Sequence, residues 1–126
     1  MCIKSYIVDM NQFGEHVRSK RESLRQGDRR YSQRQVALRV GVEPAYLSKV
    51  ERSEVAPPSE ETIVKLASDL DEDPDLLLAL AGKVSSDLQE VIRKRPLLFA
   101  QLLRELKSVP DHAILKIVRE VGDGDW

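Results

Sequence analysis

The sequence predicts an all-α protein in which five helices form one small domain and about three further helices form an extension. Two observations lead to this prediction. Apolar residues recur at helical spacing along the chain. Capping residues or prolines precede these apolar segments, and glycine follows several of them. The expected divisions are an N-terminal arm at 1–10, the five-helix domain at 11–82 and the helical extension at 83–126.

The first helix is expected to begin after Asn11, whose side chain can cap the free N–H groups of a helix start. Phe13, Val17 and Leu24 recur at helical spacing and form its inward face. The sequence Gln-Gly-Asp at 26–28 is typical of a helix end, so a short basic loop is expected to follow.

The second helix is short and ends in a tight turn. Ser32 can cap it through its hydroxyl, and Val36, Ala37 and Val40 form its inward face. Gly41 follows directly and can adopt the left-handed conformation that ends many helices. The chain is therefore expected to reverse at this glycine.

A third helix is expected to begin at Pro44, because the first helical position needs no N–H donor. Tyr46, Leu47 and Val50 supply its inward face. Two short helices joined by a tight turn constitute a helix-turn-helix, and the usual task of this motif is to read DNA.

The fourth and fifth helices follow an extended connection that is imposed by the prolines at 57–58. Ser59 is expected to cap the fourth helix, whereas Asp73 and Pro74 begin the fifth and Gly82 ends it. The fourth helix is predicted to bury Ile63, Leu66, Ala67 and Leu70, and the apolar residues of the fifth are Leu76, Leu77, Leu80 and Ala81.

Three further helices are expected near 86–94, 96–107 and 110–121, with Pro96 and Pro110 at two of the starts. Apolar residues cover more of the last two helices than one buried stripe requires. This surface is expected to contact a second subunit, although it could bind a different protein or fold back over the five-helix domain. The predicted interface residues are Leu98, Phe99, Leu102, Leu103, Leu106, Ile114, Ile117, Val118 and Val121.

The helix-turn-helix segment carries a recognisable set of residues, namely Gln33, Ala37, Gly41, Leu47, Val50, Glu51 and Arg52. With these residues in place, 11–81 resembles the five-helix domain of the lambda-repressor-like family, also called Cro-type or XRE-type. The resemblance implies a DNA-binding domain. It also implies an ion pair between Arg21 of the first helix and Glu51 at the end of the third, and the role of this pair is expected to be structural.

The resemblance implies that Gln33 fixes the protein on a phosphate. Lys49 suits guanine O6 and N7, and Glu43 can accept a hydrogen bond from cytosine N4. Pro44 and Ala45 depart from the polar readers of the family; they could meet a thymine methyl or leave specificity to DNA shape. The predicted DNA contacts are Gln33, Arg34, Glu43, Pro44, Ala45, Tyr46, Ser48, Lys49 and Arg52.

Two interpretations stay open for some of these side chains. The hydroxyl of Tyr46 could meet the DNA backbone, or the ring could pack in the core. Arg34, Arg39 and Arg52 could bind phosphates, or they could be solvated surface charges.

Charge is divided unevenly along the chain, although the net charge is only −1. Residues 1–52 contain 11 Lys and Arg against 6 Asp and Glu, whereas 53–126 contain 9 against 15. The basic half includes the helix-turn-helix, so a phosphate-facing surface is plausible there.

The sequence does not support several other classes of site or segment. No apolar run approaches the roughly 18 residues of a membrane span. Cys2, His16 and His112 have no metal-site spacing, and the alternating aspartates at 69–75 lack the glycine and glutamate of a calcium loop. No catalytic motif is present, so we expect neither an enzyme nor a cofactor. A single cysteine and the lack of a signal peptide predict a cytoplasmic protein.

Two functions are expected from this pattern. The first is a dimeric transcriptional regulator, a repressor or autoregulator that binds double-stranded DNA at an inverted repeat. The alternative is an antitoxin or another partner-binding protein, whose C-terminal helices bind a second protein. Residues 3–8 could form a strand across such a dimer or be disordered.

Overall fold

In a computed structural model, residues 12–124 are described, and within this range every regular secondary-structure element is a helix. The α-helices are α1 (Gln12–Arg25), α2 (Gln33–Val40), α3 (Pro44–Glu51), α4 (Glu60–Asp69), α5 (Pro74–Leu80), α6 (Ser86–Lys94), α7 (Pro96–Leu106) and α8 (Asp111–Asp123). The predicted all-α class, with five helices followed by three, is confirmed. The predicted arm at 1–10 and the expected cap at Asn11 lie outside the described residues.

The chain divides into two compact units, one up to Ser85 and one from Ser86 onward. The first unit contains α1–α5, and the second contains α6–α8. No helix among the described residues combines the length and the apolar character that spanning a membrane requires.

Side-chain caps set the starts of three helices in the first unit. The Ser32 hydroxyl accepts a hydrogen bond from the backbone N–H of Gln35 at 3.2 Å. The carboxylate of Asp73 accepts one from the N–H of Asp75 at 2.9 Å, and Ser59 caps α4 in the same manner. Each cap satisfies an N–H group that has no partner within its own helix.

Gly41 makes the turn between α2 and α3. Its φ of 90° lies in the left-handed region, and its N–H donates to the carbonyl of Ala37 at 2.8 Å. A side chain at this position would be strained. The two motif helices are therefore short because the chain reverses at this glycine.

The segment after α1, expected to be a loop, contains a 3₁₀ helix at Arg29–Tyr31. Asp28 begins it by accepting a hydrogen bond from the N–H of Arg30 at 2.9 Å. The Arg30 guanidinium also donates to this carboxylate, and these contacts lower the pKa of Asp28 to about 2. The capped turn leads directly into the start of α2.

One apolar core holds the first unit together. In α5, Leu77 and Leu78 are buried in this core, whereas Leu76 is exposed. The buried apolar residues are Phe13, Val17, Val36, Ala37, Val40, Leu47, Val50, Ile63, Leu66, Ala67, Leu70, Leu77 and Leu78.

Two polar contacts join the first half of this unit to α4 and the turn that follows it. Arg39 of α2 donates to Asp69 at 2.6 Å, and its guanidinium carbon lies 5.2 Å from the centre of the Tyr31 ring. His16 of α1 lies 2.6 Å from a carboxylate oxygen of Glu72, and this hydrogen bond lowers the pKa of Glu72.

The second unit has no buried residue in its described part. Phe99, Leu106 and Ile114 are half-buried. The side chains of three helices thus leave a large apolar area exposed, and the exposed apolar residues are Leu88, Val91, Leu97, Leu98, Leu102, Leu103, Leu115, Ile117, Val118 and Val121.

Gly14 allows α1 to approach the end of α3 at backbone distance. A Cβ atom at this position would lie 2.9 Å from the carbonyl oxygen of Glu51 and the hydroxyl of Ser53, and still closer to the carbonyl oxygen of Val50. Two of these neighbours are backbone atoms, which cannot rotate away. The contact between α1 and α3 therefore requires glycine.

We expect Gly14→Ala to lower the free energy of unfolding by about 2 kcal/mol, because overpacking outweighs the higher helix propensity of alanine. Urea denaturation measures the change. Gly27→Ala is the control, since a Cβ there meets nothing within 4 Å. Equal stabilities of the two variants would contradict the proposed close approach.

Candidate nucleic-acid interface

A buried ion pair joins α1 to the end of the second motif helix, α3. Arg21 Nε donates to Glu51 Oε2 at 2.7 Å, and Arg21 Nη2 donates to Glu51 Oε1 at 2.9 Å. Both residues are only 3% exposed. The Arg21 guanidinium also donates through Nη1 to the Tyr31 carbonyl at 3.2 Å, so one side chain fixes α1, the 3₁₀ helix and α3 relative to one another.

Gln33, the first residue of α2, is attached to the same ion pair. Its Nε2 donates to Glu51 Oε1 at 2.9 Å. The resemblance to the family implied a phosphate contact for Gln33 and an ion pair for Glu51, but it did not link these two residues. The link places a predicted DNA contact directly against the buried carboxylate.

An open cleft of about 360 Å³ lies beside this network, between α1, α2 and α3. Arg18 and Arg25 belong to the basic half of the sequence, in which a phosphate-facing surface is plausible, and both line this cleft. A signal for them exists in the sequence, because residues spaced by three or four positions share one face of a helix. The lining residues are Arg18, Arg21, Glu22, Arg25, Gln33, Ser48, Glu51 and Arg52.

The cations of this region differ in their availability to a ligand. Arg25, Arg34 and Lys49 are exposed, and within residues 12–124 their side chains form no hydrogen bond or ion pair. Arg18 lies 3.5 Å from Glu22 in an exposed pair, which water screens. These four side chains can therefore meet an anion at low cost.

Arg39 differs from these cations, because its pairing with Asp69 and its contact with Tyr31 engage the guanidinium within the protein. A phosphate at Arg39 would therefore compete with the Asp69 carboxylate. Its pKa is raised chiefly by the hydrogen bonds to Asp69. The Arg39–Asp69 ion pair links α2 to α4.

Arg52 is exposed but paired. It donates to Glu54 at 2.6 Å and 3.2 Å and also to the Ser48 hydroxyl, and the hydrogen bond to Glu54 raises its pKa. A phosphate at Arg52 would compete with this carboxylate. Ser48 is half-buried and its oxygen accepts from Arg52, which leaves the hydroxyl proton free to donate.

The remaining predicted contacts lie at the start of α3. Glu43 is exposed and makes no side-chain cap, and Pro44 occupies the first turn half-buried. Ala45 and Lys49 are exposed one helical turn apart, so they share a face. Tyr46 is half-buried and packs against the core.

The part of the chain that is described contains no cluster of side chains that could bind a metal ion. Within 12–124, no three His, Cys, Asp or Glu side chains lie close enough to hold an ion. The aspartates at 69–75 instead serve the fold, since Asp69 pairs with Arg39 and Asp73 caps α5.

Comparison with known protein families gives a match to the first unit. Residues 22–77 match a family model described as "Helix-turn-helix". The matched range runs from the second half of α1 into α5 and includes the whole of α2, α3 and α4. No curated protein and no solved structure gives a significant match.

We expect Glu51→Ala to lower the free energy of unfolding by about 3 kcal/mol, because it leaves the Arg21 guanidinium buried without its carboxylate. Thermal and urea denaturation measure the loss. Glu22→Ala is the matched control, since the Glu22 carboxylate lies 3.8 Å from the same guanidinium but its side chain is 51% exposed. A similarly small effect of both substitutions would show that the buried pair is not a major source of stability.

Proposed function

We propose that this chain, in which residues 22–77 form a helix-turn-helix domain of the XRE and lambda-repressor-like kind, is a DNA-binding transcriptional regulator that acts as a dimeric repressor or autoregulator. The observation that carries the proposal is the geometry of α2 and α3. The buried Arg21–Glu51 pair fixes these helices, while Lys49 and Ala45 remain exposed on one face of α3. Such a face suits the major groove.

In this proposal α3 reads bases, and the surrounding cations hold phosphates. Lys49 donates to guanine, and Glu43 accepts from cytosine N4. Pro44 and Ala45 give the start of α3 an apolar surface that can contact a thymine methyl. The phosphate contacts are supplied by Gln33, Arg34, Arg18 and Arg25, with Arg52 contributing where it leaves Glu54.

We assign dimerisation to the second unit, because its apolar side chains are exposed on α7 and α8. Its charge also suits pairing with a second copy. Residues 86–126 contain 7 Lys and Arg and 7 Asp and Glu, so two copies do not repel each other through net charge. The acidic excess lies elsewhere, at 53–85, where 8 Asp and Glu stand against 2 Lys.

A symmetric dimer would present two copies of α3 to the DNA. The two helices would then reach successive major grooves about 34 Å apart, and the bound site would be an inverted repeat. Occupation of such a site excludes other proteins from the promoter, which is the simplest route to repression. Binding upstream of its own gene would make the protein an autoregulator.

We expect Lys49→Ala to weaken binding to the preferred duplex about tenfold or more, because one good base contact contributes about 1–3 kcal/mol of discrimination. Repeated selection from a random duplex library identifies the preferred sequence. Fluorescence anisotropy at fixed salt then measures the affinity of the full chain. An enriched inverted repeat is expected.

Lys65→Ala is the control for Lys49→Ala. Lys65 is an exposed lysine of α4 that pairs with Glu61, so its loss changes the net charge equally without touching α3. Equal loss of affinity in the two variants would exclude base reading by Lys49. Failure of the selection to enrich any sequence would count against a sequence-specific regulator.

We expect Leu98→Glu to weaken self-association tenfold or more, because it places a charge where an apolar side chain is buried between two copies. Sedimentation equilibrium of the full chain measures the dimer constant. Leu38→Glu in α2 is a matched control, since Leu38 and Leu98 are both 62% exposed. Wild-type protein that stays monomeric would favour the alternative, in which the apolar helices bind a different protein.

A further inference from the structure

We propose that Glu51 is a positioning residue for DNA binding, in addition to being the buried partner of Arg21. Its carboxylate holds the side-chain amide of Gln33 at the edge of the cleft between α1, α2 and α3. The inference rests on the proposed DNA-binding function and deepens it, because it assigns to a residue that is only 3% exposed a role in how DNA is held.

The first step is the direction of the Gln33 amide. Glu51 Oε1 accepts from both Arg21 Nη2 and Gln33 Nε2, each at 2.9 Å, and Oε2 accepts from Arg21 Nε. An ionised carboxylate has no proton to donate. Only the nitrogen end of the amide can therefore face Glu51, so the carboxylate decides which end of Gln33 is turned toward it.

The second step concerns the N–H group of the Gln33 amide that does not bind Glu51. The nitrogen of glutamine carries two N–H groups, and Glu51 occupies one of them. The other stays available on a side chain that lines the cleft. A phosphate oxygen is a strong acceptor for such a donor, and Arg18 and Arg25 line the same cleft.

The third step is electrostatic. A carboxylate so close to a phosphate contact would normally repel DNA. Arg21 neutralises Glu51 through two hydrogen bonds, and burial strengthens them because the surroundings have a low dielectric. The ion pair thus provides a fixed acceptor for Gln33 without presenting a net negative charge to the phosphate.

The fourth step is the loss of freedom on binding. An unattached glutamine at a helix start samples several rotamers, and DNA would have to select one of them at a cost in affinity. The hydrogen bond to Glu51 restricts these rotamers before DNA arrives. Removal of Glu51 should therefore weaken binding only when Gln33 is present to be positioned.

The test is a coupling experiment on the full chain. Arg21→Met and Glu51→Met are made together, because replacing both members of a buried ion pair leaves no unpaired charge and generally preserves folding. Gln33→Ala is made in the wild type and in this background. The probes are the duplex enriched by selection and an unrelated duplex of equal length, at a temperature where circular dichroism shows every variant folded.

We expect the paired methionine substitution to weaken binding to the enriched duplex about fivefold when Gln33 is present, which corresponds to one hydrogen bond. We expect a change of less than about twofold when Ala replaces Gln33, since the positioned group is then absent. Equal losses in the two backgrounds would overturn the inference, because they would mean that the ion pair acts only through the general fold.

A second measurement needs no DNA. In the wild-type protein, nuclear magnetic resonance should show the Gln33 side-chain amide with one proton protected from exchange, and this protection should disappear in the paired methionine variant. Unprotected amide protons in the wild type would overturn the inference.

A wild type that binds neither duplex would refute the proposed function as well, whereas binding with equal losses in both backgrounds refutes the positioning role alone.

Discussion

The ion pair between Arg21 and Glu51 is the contact on which the geometry of the first unit depends. Arg21 contacts the end of α3 and the carbonyl that ends the 3₁₀ helix, while Glu51 also accepts from the first residue of α2. Four elements thus converge on two charged side chains. Since both side chains are only 3% exposed, loss of either one would leave the other as a buried charge without its partner, and the intact pair holds the motif helices in one relative position.

Much of the fold follows from local sequence. Ser32, Ser59 and Asp73 cap their helices, and Gly41 makes the turn, because these features depend on only a few neighbouring residues. The all-α class, with five helices and then three, could be predicted for the same reason. The resemblance to the lambda-repressor-like family supplied the pairing of Arg21 with Glu51, which residue spacing alone does not give.

Features that depend on distant residues could not be read from the sequence. The requirement for glycine at position 14 is one such feature, because a Cβ atom there would lie 2.9 Å from the carbonyl oxygen of Glu51. Arg39 looked like one more surface cation, but Asp69 lies 30 positions away in the chain and 2.6 Å away in space. The hydrogen bond from Gln33 to Glu51 likewise joins residues whose partnership only tertiary packing reveals.

The second unit carries no net charge. In the proposed dimer, DNA binding and self-association would therefore respond differently to salt. Binding to DNA releases counterions, so its affinity falls steeply as salt rises. Association through apolar surfaces without net charge is nearly insensitive to salt, and excluded salts even strengthen it. Rising ionic strength would therefore release the protein from DNA as an intact dimer, ready to bind again without reassembly when the salt falls.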